Sequence, residues 1–509
     1  MPTQQNTDDP TKPDYVRPEV VAASDDLDII EHLQGGPAEM WAQSGTYIRQ
    51  WADEDTAVYD IRRLSEPCSG LFTRTLSASV GKLFGKPPKI EYPVREDELR
   101  AHWDNIDAAG TKGDIAAKEF ASKNIAKGYG LILVDHTVPP EGVTVTRQNE
   151  GELGLRPIWA FYDRRAVCSW RTSVINNVTV LTKLVLKEEI EEESGAFGVA
   201  NVCFYRELYV EKGKRGAHVA GWRLWRAPVD AGQEFTLERE GIFKNRKGKT
   251  RGTIPIAIGY GGRRDGVLVA PPPLRDVAYA NLAHWQVATE LAFGTAVAAI
   301  EQPLVKGGIM PDENGLKKVR IGWLKLVNVE ADGDFEFRGP SGEGLNQLKD
   351  RKVEKEQEIA AMGLSFMSRD TRAAETAEAK RLDAAAEDST LATCGQGNED
   401  ALNQAWVYHC WYMGIDAAQA PTVTLNRDFE STALSPQHAQ AIAALVESGM
   451  PVKQAVRTLI VGGFLKADED EIDEIADEWE TGQIDKQERE AEAASDRAAG
   501  MKQPARKAA

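Results

Sequence analysis

The segment Gly248-Lys249-Thr250 comes close to a loop that binds nucleoside phosphates. Such a loop needs the pattern G-x-x-x-x-G-K-S/T, in which backbone N–H groups surround the phosphates and the lysine reaches the terminal pair. Phe243 stands where the first glycine should be, and Pro255 follows where a helix should begin. The sequence therefore predicts a basic turn at this position and not an ATP site.

The wider stretch from position 244 to 251 carries five basic side chains and no carboxylate. Basic side chains contact nucleic acid mainly through its phosphates, so this stretch is a candidate phosphate contact. The same composition is equally typical of a solvated hairpin tip. Both interpretations stay open for the residues concerned, which are Lys244, Arg246, Lys247, Lys249 and Arg251.

Other signals for catalysis or metal binding are weak. Asp135-His136 closes an apolar strand, a place where catalytic residues often lie in open α/β sheets, but the sequence offers nothing to complete a triad. It has no Gly-x-Ser-x-Gly elbow and no His-x-x-x-His pair. The five cysteines include no C-x-x-C pair, which indicates reduced and mostly buried thiols. We expect a protein that is not an enzyme and that has no cofactor and no metal.

The charge balance restricts the partners. With 79 acidic against 61 basic residues, the formal net charge is -18. Tight binding to duplex DNA normally needs a basic surface, so a DNA-gripping protein is disfavoured. A negative chain that lets DNA pass remains compatible, because like charges discourage sticking. The sequence also lacks a signal peptide and any apolar run long enough to span a membrane, so we expect folding in the cytoplasm.

The first half of the chain predicts an α+β fold. Residues 27 to 84 and 95 to 127 have helical periodicity. The apolar run 131 to 134 is typical of a strand buried on both faces. Alternating residues from 178 to 186 predict a half-buried strand, paired with its predecessor across an Asn176-Asn177 turn.

The second half predicts long helices around a short β-rich insert. A largely apolar helix should begin at the proline run 271–273 and end near Ile300. The insert spans 303 to 340, and a highly charged helix follows from Leu345 to Met362. A polar loop then leads to an alanine-rich helix that ends near Met413.

The order of these parts resembles the portal proteins of tailed bacteriophages. The resemblance lies in the stretch from Gly128 to Trp170, with Gly-Tyr-Gly-Leu-Ile-Leu-Val-Asp and then Arg-Pro-Ile-Trp, and in Ile254-Pro255-Ile256. It continues through Pro-Pro-Pro-Leu-Arg-Asp-Val-Ala from position 271, Asn-Leu at 281, His-Trp at 284 and Gln-Pro-Leu at 302. These are patterns of core and turn residues that extend over some 400 positions.

The resemblance implies a portal fold with an α/β wing, a helical stem, a small β-rich clip and an α-helical crown. Its parts would be a disordered N-terminal arm (1–26), the wing (27–270), a first stem helix (271–300), the clip (301–343), a second stem helix (344–363), a tunnel loop (364–374), a long wing helix with a returning strand (375–430), crown helices (431–481) and a disordered tail (482–509).

The resemblance also implies a function. The chain would form a ring, usually of twelve subunits, at one capsid vertex, and the ring would be the channel for DNA packaging and ejection. Its partners would be the large terminase, a head-tail adaptor, the major capsid and scaffold proteins, and double-stranded DNA bound without sequence specificity. It would be part of the virion, assembled in the bacterial cytoplasm. The candidate channel-facing residues are Lys349, Arg351, Lys352, Lys355, Arg369 and Arg372.

Two alternatives remain open at this stage. One is a nucleotide-dependent, nucleic-acid-processing enzyme that uses Gly248 to Thr250. The other is a capsid-associated structural protein without a channel. ATP binding that is lost on Lys249→Ala would favour the enzyme, and particle shape separates a channel-forming ring from the other structural protein.

Overall fold

The computed structural model describes residues 9–137, 153–213, 216–228, 233–299, 302–306, 334–338, 343–363, 377–426 and 451–461, together with residue 472. The chain divides into two compact units, Met1–Arg427 and Asp428–Ala509. The predicted tail (482–509) and most of the predicted crown (431–481) lie outside the described residues. As the sequence predicts, the fold mixes helices and sheets.

Ten helices of the first unit are described. They are α1 (Pro18–Val21), α2 (Ser24–Ala42), α3 (Ser44–Tyr47), α4 (Thr56–Arg63), α5 (Leu71–Leu83), α6 (Glu96–Trp103), α7 (Gly113–Lys127), α8 (Arg275–Ala298), α9 (Glu343–Gly363) and α10 (Ala377–Met413). Helix α2 is kinked at Gly36, which has a φ of +79°. Pro37 is the next residue of the helix. The helical periodicity from 27 to 84 and from 95 to 127 is thus confirmed.

Twelve strands are described in the same unit. They are β1 (Lys89–Glu91), β2 (Tyr129–His136), β3 (Pro157–Asp163), β4 (Val167–Ile175), β5 (Val178–Ser194), β6 (Gly198–Lys212), β7 (His218–Arg226), β8 (Thr236–Ile242), β9 (Ile256–Tyr260), β10 (Gln302–Lys306), β11 (Asp334–Arg338) and β12 (Thr422–Thr424). They form a three-stranded sheet in the order β3-β2-β9, a five-stranded sheet from β4 to β8, and the pairs β1-β12 and β10-β11.

The N-terminal arm is ordered over much of its length. The Nη1 of Arg17 donates to the carbonyl oxygen of Trp170 at 2.9 Å, and the guanidinium lies 4.3 Å from the centroid of the Trp170 ring. The short helix α1 then follows directly. The prediction of a disordered arm over 1–26 is therefore wrong for residues 17 to 26, because a polar, proline-rich sequence is held here by one arginine on the edge of the five-stranded sheet.

The central strand β2 is buried on both faces, as its apolar run predicts. From Tyr129 to Val134 each of its residues is buried. Strands β3 and β9 flank it in antiparallel pairing, and helices α7 and α10 pack on the sheet. A buried hydrogen bond of 2.7 Å from Nδ2 of Asn124 to Oδ1 of Asn398 joins these two helices.

The five-stranded sheet is an antiparallel meander in sequence order. Asn176 and Asn177 join its first two strands and have φ values of +51° and +63°. Two successive left-handed residues make the tight turn that matches the twist of a hairpin, and asparagine tolerates this conformation better than most residues. The predicted turn is confirmed, and Ile175 pairs with Val178 across it.

The cysteines belong to the core. All five are unpaired thiols, and Cys68, Cys168, Cys394 and Cys410 are buried. Burial raises the pKa of the Cys168 and Cys410 thiols to about 12, so both stay protonated. The predicted reduced and mostly buried thiols are confirmed. Among the described residues, no group of three or more His, Cys, Asp or Glu side chains is placed to hold a metal ion.

Helix α11 (Val452–Val461) is the helix described in the second unit. It begins directly after Pro451 and lies within the range 431–481, where the resemblance implies crown helices. None of the helices in the described ranges has the length and hydropathy needed to cross a membrane.

Candidate functional site

Helices α8 and α9 form an antiparallel pair. The imidazole Nε2 of His284 on α8 lies 3.1 Å from Oε1 of Glu356 on α9. Near the other end of the pair, a Cβ atom added to Gly294 would lie 2.9 Å from Cδ2 of Leu345, so the Leu345 side chain packs directly on the Gly294 backbone there. The chain runs from one helix to the other through β10 and β11, which pair antiparallel. The arrangement is a helix, a β-hairpin base and a returning helix.

One half of α8 is anchored among the N-terminal helices by side chains that bond to backbone. The amide of Asn281 accepts from the N–H of Phe72 at 2.8 Å and donates to the carbonyl of Ser69 at 2.9 Å. The indole of Trp285 donates to the carbonyl of Glu66 at 2.9 Å. Because a buried polar group without a partner is costly, these bonds fix the rotation of α8 about its axis.

Burial falls along the pair toward the hairpin. On α8 the buried residues lie between Val277 and Thr289, and the described residues after Thr289 are partly or fully exposed. On α9, whose burial is described up to Met362, the buried residues are Ile359 and Ala360, near the opposite end. Because the helices are antiparallel, both buried segments lie at the same end of the pair. The pair is therefore embedded at one end and solvent-exposed at the end that carries β10 and β11.

The charges of α9 segregate between its faces. At about 3.6 residues per turn, Leu345, Glu356 and Ile359 define the side that faces α8. Asp350, Glu354 and Glu358 follow one another at four-residue spacing on the opposite side, and all three are exposed. We call these three residues the acidic face of α9.

The predicted channel-facing bases of α9 lie off this acidic face, with Lys349 and Lys352 on the side toward α8. Lys349 and Arg351 are exposed, and Lys352 and Lys355 are half-buried. The ammonium of Lys355 is 2.5 Å from Oε2 of Glu358, an i,i+3 ion pair. Arg351 is the base nearest the middle of the acidic face, and Arg351 and Lys355 together leave its three carboxylates in excess. The two remaining candidates, Arg369 and Arg372, lie outside the described residues.

The basic stretch 244 to 251 is a hairpin turn. Lys244 and Thr250 form a β-bridge, and Gly248 has a φ of +73°. Oδ1 of Asn245 accepts from the N–H groups of Lys247 and Lys249, which holds the loop closed. Strand β9, and not a helix, is the next regular element. This is the basic turn that the sequence predicts, and it lacks the strand-to-helix geometry of a phosphate-binding loop.

The hairpin separates its five bases. The guanidinium of Arg251 lies 4.5 Å from the ring of Tyr408 and 5.4 Å from that of Trp411, and burial lowers its pKa. The Arg251 side chain thus packs against two aromatic rings of α10. The other four, Lys244, Arg246, Lys247 and Lys249, are exposed side chains of the turn. Of these four, Lys244, Arg246 and Lys247 line a common cleft, whereas Lys249 is not among its lining residues.

Comparison with known proteins gives one family match and several structural similarities. Residues 273–413 match the family described as a domain of unknown function, DUF4055. This range runs from the proline before α8 to the end of α10. No curated protein matches the chain.

Among solved structures, the chain is similar to a chain of the virion of a native gene transfer agent particle, at 13% identity and a TM-score of 0.37, covering 82% of this chain and 96% of that chain. It is also similar to chains of two particle necks. For the neck of the empty particle, computed with C6 symmetry, the identity is 12% and the TM-score is 0.37. That match covers 81% of this chain and 95% of the neck chain. For the neck of the native particle, computed with C12 symmetry, the identity is 13% and the TM-score is 0.35. That match covers 85% of this chain and 99% of the neck chain. At such identities and TM-scores, the function of this chain has to be argued from its own residues.

Proposed function

We propose that this chain is a portal protein of a tailed phage or phage-like particle. It would assemble into a ring at one capsid vertex, as a structural component and not an enzyme. The single observation that carries the proposal is the antiparallel pair α8 and α9, embedded at one end and joined through β10 and β11 at its exposed end. This is the helix-insert-helix order that the sequence resemblance requires of a stem and a clip, and the long helix α10 follows it.

The charge of α9 supports a channel through which DNA passes. A duplex that moves through a ring must not adhere to the wall, and phosphate contacts by lysine and arginine make DNA adhere. The acidic face, Asp350, Glu354 and Glu358, opposes such contacts if it lines the channel. In this proposal the candidate bases of α9 support the helix pair and its neighbours, and the acidic face meets the DNA.

A ring also needs two different complementary surfaces on each subunit, because head-to-tail contacts are heterologous. Exposed apolar side chains occur at several places in the first unit, and two of these places are far apart in the chain. Ile61 of α4 is 66% exposed, with Leu64 beside it. Phe197, in the turn between β5 and β6, is fully exposed, and Val199 follows it. We assign these two places to the contacts between neighbouring subunits.

The partners follow from this role. The large terminase would dock on the ring and supply ATP chemistry, and the basic turn at Gly248 would have no part in it. A head-tail adaptor would bind after packaging, and the major capsid and scaffold proteins would surround the ring. We expect a ring of twelve subunits. The ring would contact DNA without sequence specificity, and it would assemble in the bacterial cytoplasm.

The test is the shape and mass of the purified full-length protein. We expect negative-stain electron microscopy to show rings with an axial hole and light scattering to give a mass near twelve subunits. The measurement is repeated after co-expression with the scaffold and capsid proteins of the same particle, because some rings assemble on a scaffold. A chain that stays monomeric or dimeric in both conditions contradicts the portal proposal. ATP turnover by that chain, lost in Lys249→Ala, would favour the enzyme in its place.

A further inference from the structure

A cleft of about 890 Å³ lies where the basic hairpin, the end of β2, one face of the five-stranded sheet and the end of α10 meet. Its volume is in the range of ligand pockets, which is roughly 300–1,000 Å³. We call it the basic cleft, because one carboxylate, Asp135, lines it against six bases. These are Arg95, Arg206, Arg239, Lys244, Arg246 and Lys247.

A buried hydroxyl of the basic cleft has no partner. Tyr412, near the end of α10, is 2% exposed, and among the described residues its phenol oxygen makes no hydrogen bond. A buried hydroxyl without a partner costs about 1–3 kcal/mol. Tyr412 lines the cleft, and Nη1 of Arg156, which lines an adjoining smaller cavity together with Tyr412, is buried and unpartnered as well. Tyr412 thus offers an O–H donor to a ligand in the cleft, and Arg156 offers an N–H donor in the adjoining cavity.

Arg206, whose side chain is 18% exposed, is held in place by the carboxylate of Glu188. Glu188 accepts from Nε of Arg206 at 2.5 Å and from its Nη2 at 3.1 Å, and it also accepts from the hydroxyl of Tyr162 at 2.6 Å. Nη1 of Arg206 lies 3.8 Å from Oδ2 of Asp135. An arginine fixed on one edge presents its remaining N–H groups in a constant direction, which favours recognition of an oxyanion.

Phosphate is the anion with the most suitable chemistry. Several guanidinium and ammonium groups, together with a phenol, offer more donors than a carboxylate accepts, whereas a phosphate group has three or more acceptor oxygens. The cleft is larger than one phosphate and has an apolar wall that includes Ile158, Trp222 and Leu224. A phosphate ester with an organic part would occupy both regions.

We propose that the basic cleft binds a phosphate group, either of a nucleic-acid backbone or of a free organic phosphate. Arg206, Arg239, Lys244 and Lys247 would contact its oxygens, and Tyr412 would donate its hydroxyl proton to one of them. This site is independent of ring assembly, because every residue named belongs to one chain. A failure of the portal proposal would therefore leave it untouched.

Asp135 sets the direction of the pH effect. Burial raises the pKa of its carboxyl above the ordinary value, although Arg206 acts in the opposite direction. The titratable groups that act on it are Arg206 and His136, which lower the pKa of Asp135, and Glu188, which raises it. A protonated Asp135 no longer repels an anion, so binding of a phosphodiester, whose own charge stays constant, strengthens as the pH falls through the pKa of Asp135. Asp135→Asn removes that charge at every pH.

The experiment titrates the full-length protein at low salt in a buffer free of phosphate. Two probes separate the sources: adenosine monophosphate followed by calorimetry, and a fluorescent oligodeoxythymidylate followed by anisotropy. Binding of the nucleotide assigns the cleft to free organic phosphates, and binding of the oligonucleotide alone assigns it to a nucleic-acid backbone. If neither probe binds, the proposal is overturned.

Variants identify the place of binding. We expect Arg239→Gln to lower the affinity for the probe about tenfold, because the substitution removes one charge-assisted hydrogen bond. Tyr412→Phe should weaken it several-fold while thermal stability stays equal or rises, because the substitution removes an unpartnered hydroxyl. Asp135→Asn should tighten binding. The control is Lys118→Gln, an exposed base of α7 outside the cleft. Equal losses in the control and in Arg239→Gln would mean general electrostatic attraction and would overturn the assignment.

Discussion

The imidazole of His284 and the carboxylate of Glu356 lie 3.1 Å apart, although 72 residues separate them in sequence. The His284 side chain is 2% exposed, whereas that of Glu356 is 48% exposed. The contact therefore joins the buried side of α8 to the flank of α9. It fixes the register of the antiparallel pair, because a shift of one turn would remove Glu356 from reach.

Loss of this contact should destabilise the pair. We expect Glu356→Ala to lower the free energy of unfolding by about 0.5–1.5 kcal/mol, the contribution of one hydrogen bond. Glu356→Gln keeps an acceptor oxygen and should retain part of the stabilisation that this hydrogen bond provides. The measurement is urea unfolding, completed as a double-mutant cycle with His284→Ala. The matched control is Glu354→Ala on the acidic face. An effect there as large as that of Glu356→Ala would contradict the role given to His284.

The acidic face offers a test of the channel. We expect reversal of Asp350, Glu354 and Glu358 to lysine to raise the affinity of isolated rings for linear duplex DNA by about tenfold or more at low salt, with a steep decline as salt increases. Particles that carry this variant should package less DNA. The control reverses the three acids of α6 at positions 96 to 98. Equal packaging by both variants would place the acidic face of α9 away from the DNA path.

The sequence predicted the elements of the fold better than its contacts. The run at β2 was informative because apolar residues on both faces are typical of a central strand, and Asn176-Asn177 was informative because few residues adopt the left-handed conformation. Helix α1 was not predicted, since its order depends on Arg17 reaching Trp170, a contact over 153 residues. Local periodicity has no signal for such a contact.

The candidate sites show the same limit. The five bases from 244 to 251 look equivalent in sequence, but Arg251 is packed against Tyr408 and Trp411. Conversely, Arg206 and Tyr412 join the basic cleft from a strand and a helix that are far apart in the chain. A lone arginine in a strand and a tyrosine in an apolar helix are ordinary core residues by composition. Their convergence is a property of the tertiary fold.

A histidine pair, with His409 buried and His102 half-buried, predicts a pH dependence. Trp159 Nε1 donates to Nδ1 of His409 at 3.2 Å, so Nε2 of His409 carries the proton and donates to Nδ1 of His102 at 2.9 Å. Burial, followed by the nearby charge of Arg156, lowers the pKa of His102 to about 4, and burial lowers that of His409 well below its ordinary value. Both rings are therefore neutral in the folded protein near neutral pH.

The unfolded chain binds these protons more readily, because its histidines titrate near the ordinary pKa of about 6.5. Stability should therefore be complete above that pH and should fall as the pH decreases toward about 4. Since the His102 ring is partly exposed, we expect a loss of roughly 1–2 kcal/mol from this residue. His102→Gln keeps an acceptor and should flatten the profile of urea midpoint against pH. His218→Gln is the control, and an equal flattening there would argue against the pair.

Two glycines in helices should respond to alanine in opposite ways. A Cβ atom at Gly397 of α10 would lie 2.2 Å from the carbonyl oxygen of Tyr260 on β9, and backbone atoms of a central sheet cannot easily move. We expect Gly397→Ala to destabilise the protein by about 1–3 kcal/mol. Gly81 of α5 has open space around it, and Gly81→Ala should stabilise by about 0.5–1 kcal/mol. Thermal unfolding of both variants measures the difference, and a Gly397→Ala variant as stable as the wild type or more so would refute the close contact of α10 with β9.

The two apolar surfaces should act only in the assembled ring. A charged residue at Ile61 or Phe197 removes an exposed side chain, so the subunit should unfold at nearly the wild-type temperature. In a ring, however, each of these side chains would be buried against a neighbour, and an unpaired carboxylate there is costly. We therefore expect Ile61→Asp and Phe197→Asp each to prevent rings in electron micrographs while leaving a folded monomer. Because the contacts are heterologous, a mixture of the two variants should form limited dimers through the one intact interface that each pair retains. Rings formed by either variant alone would exclude that surface from the subunit interface.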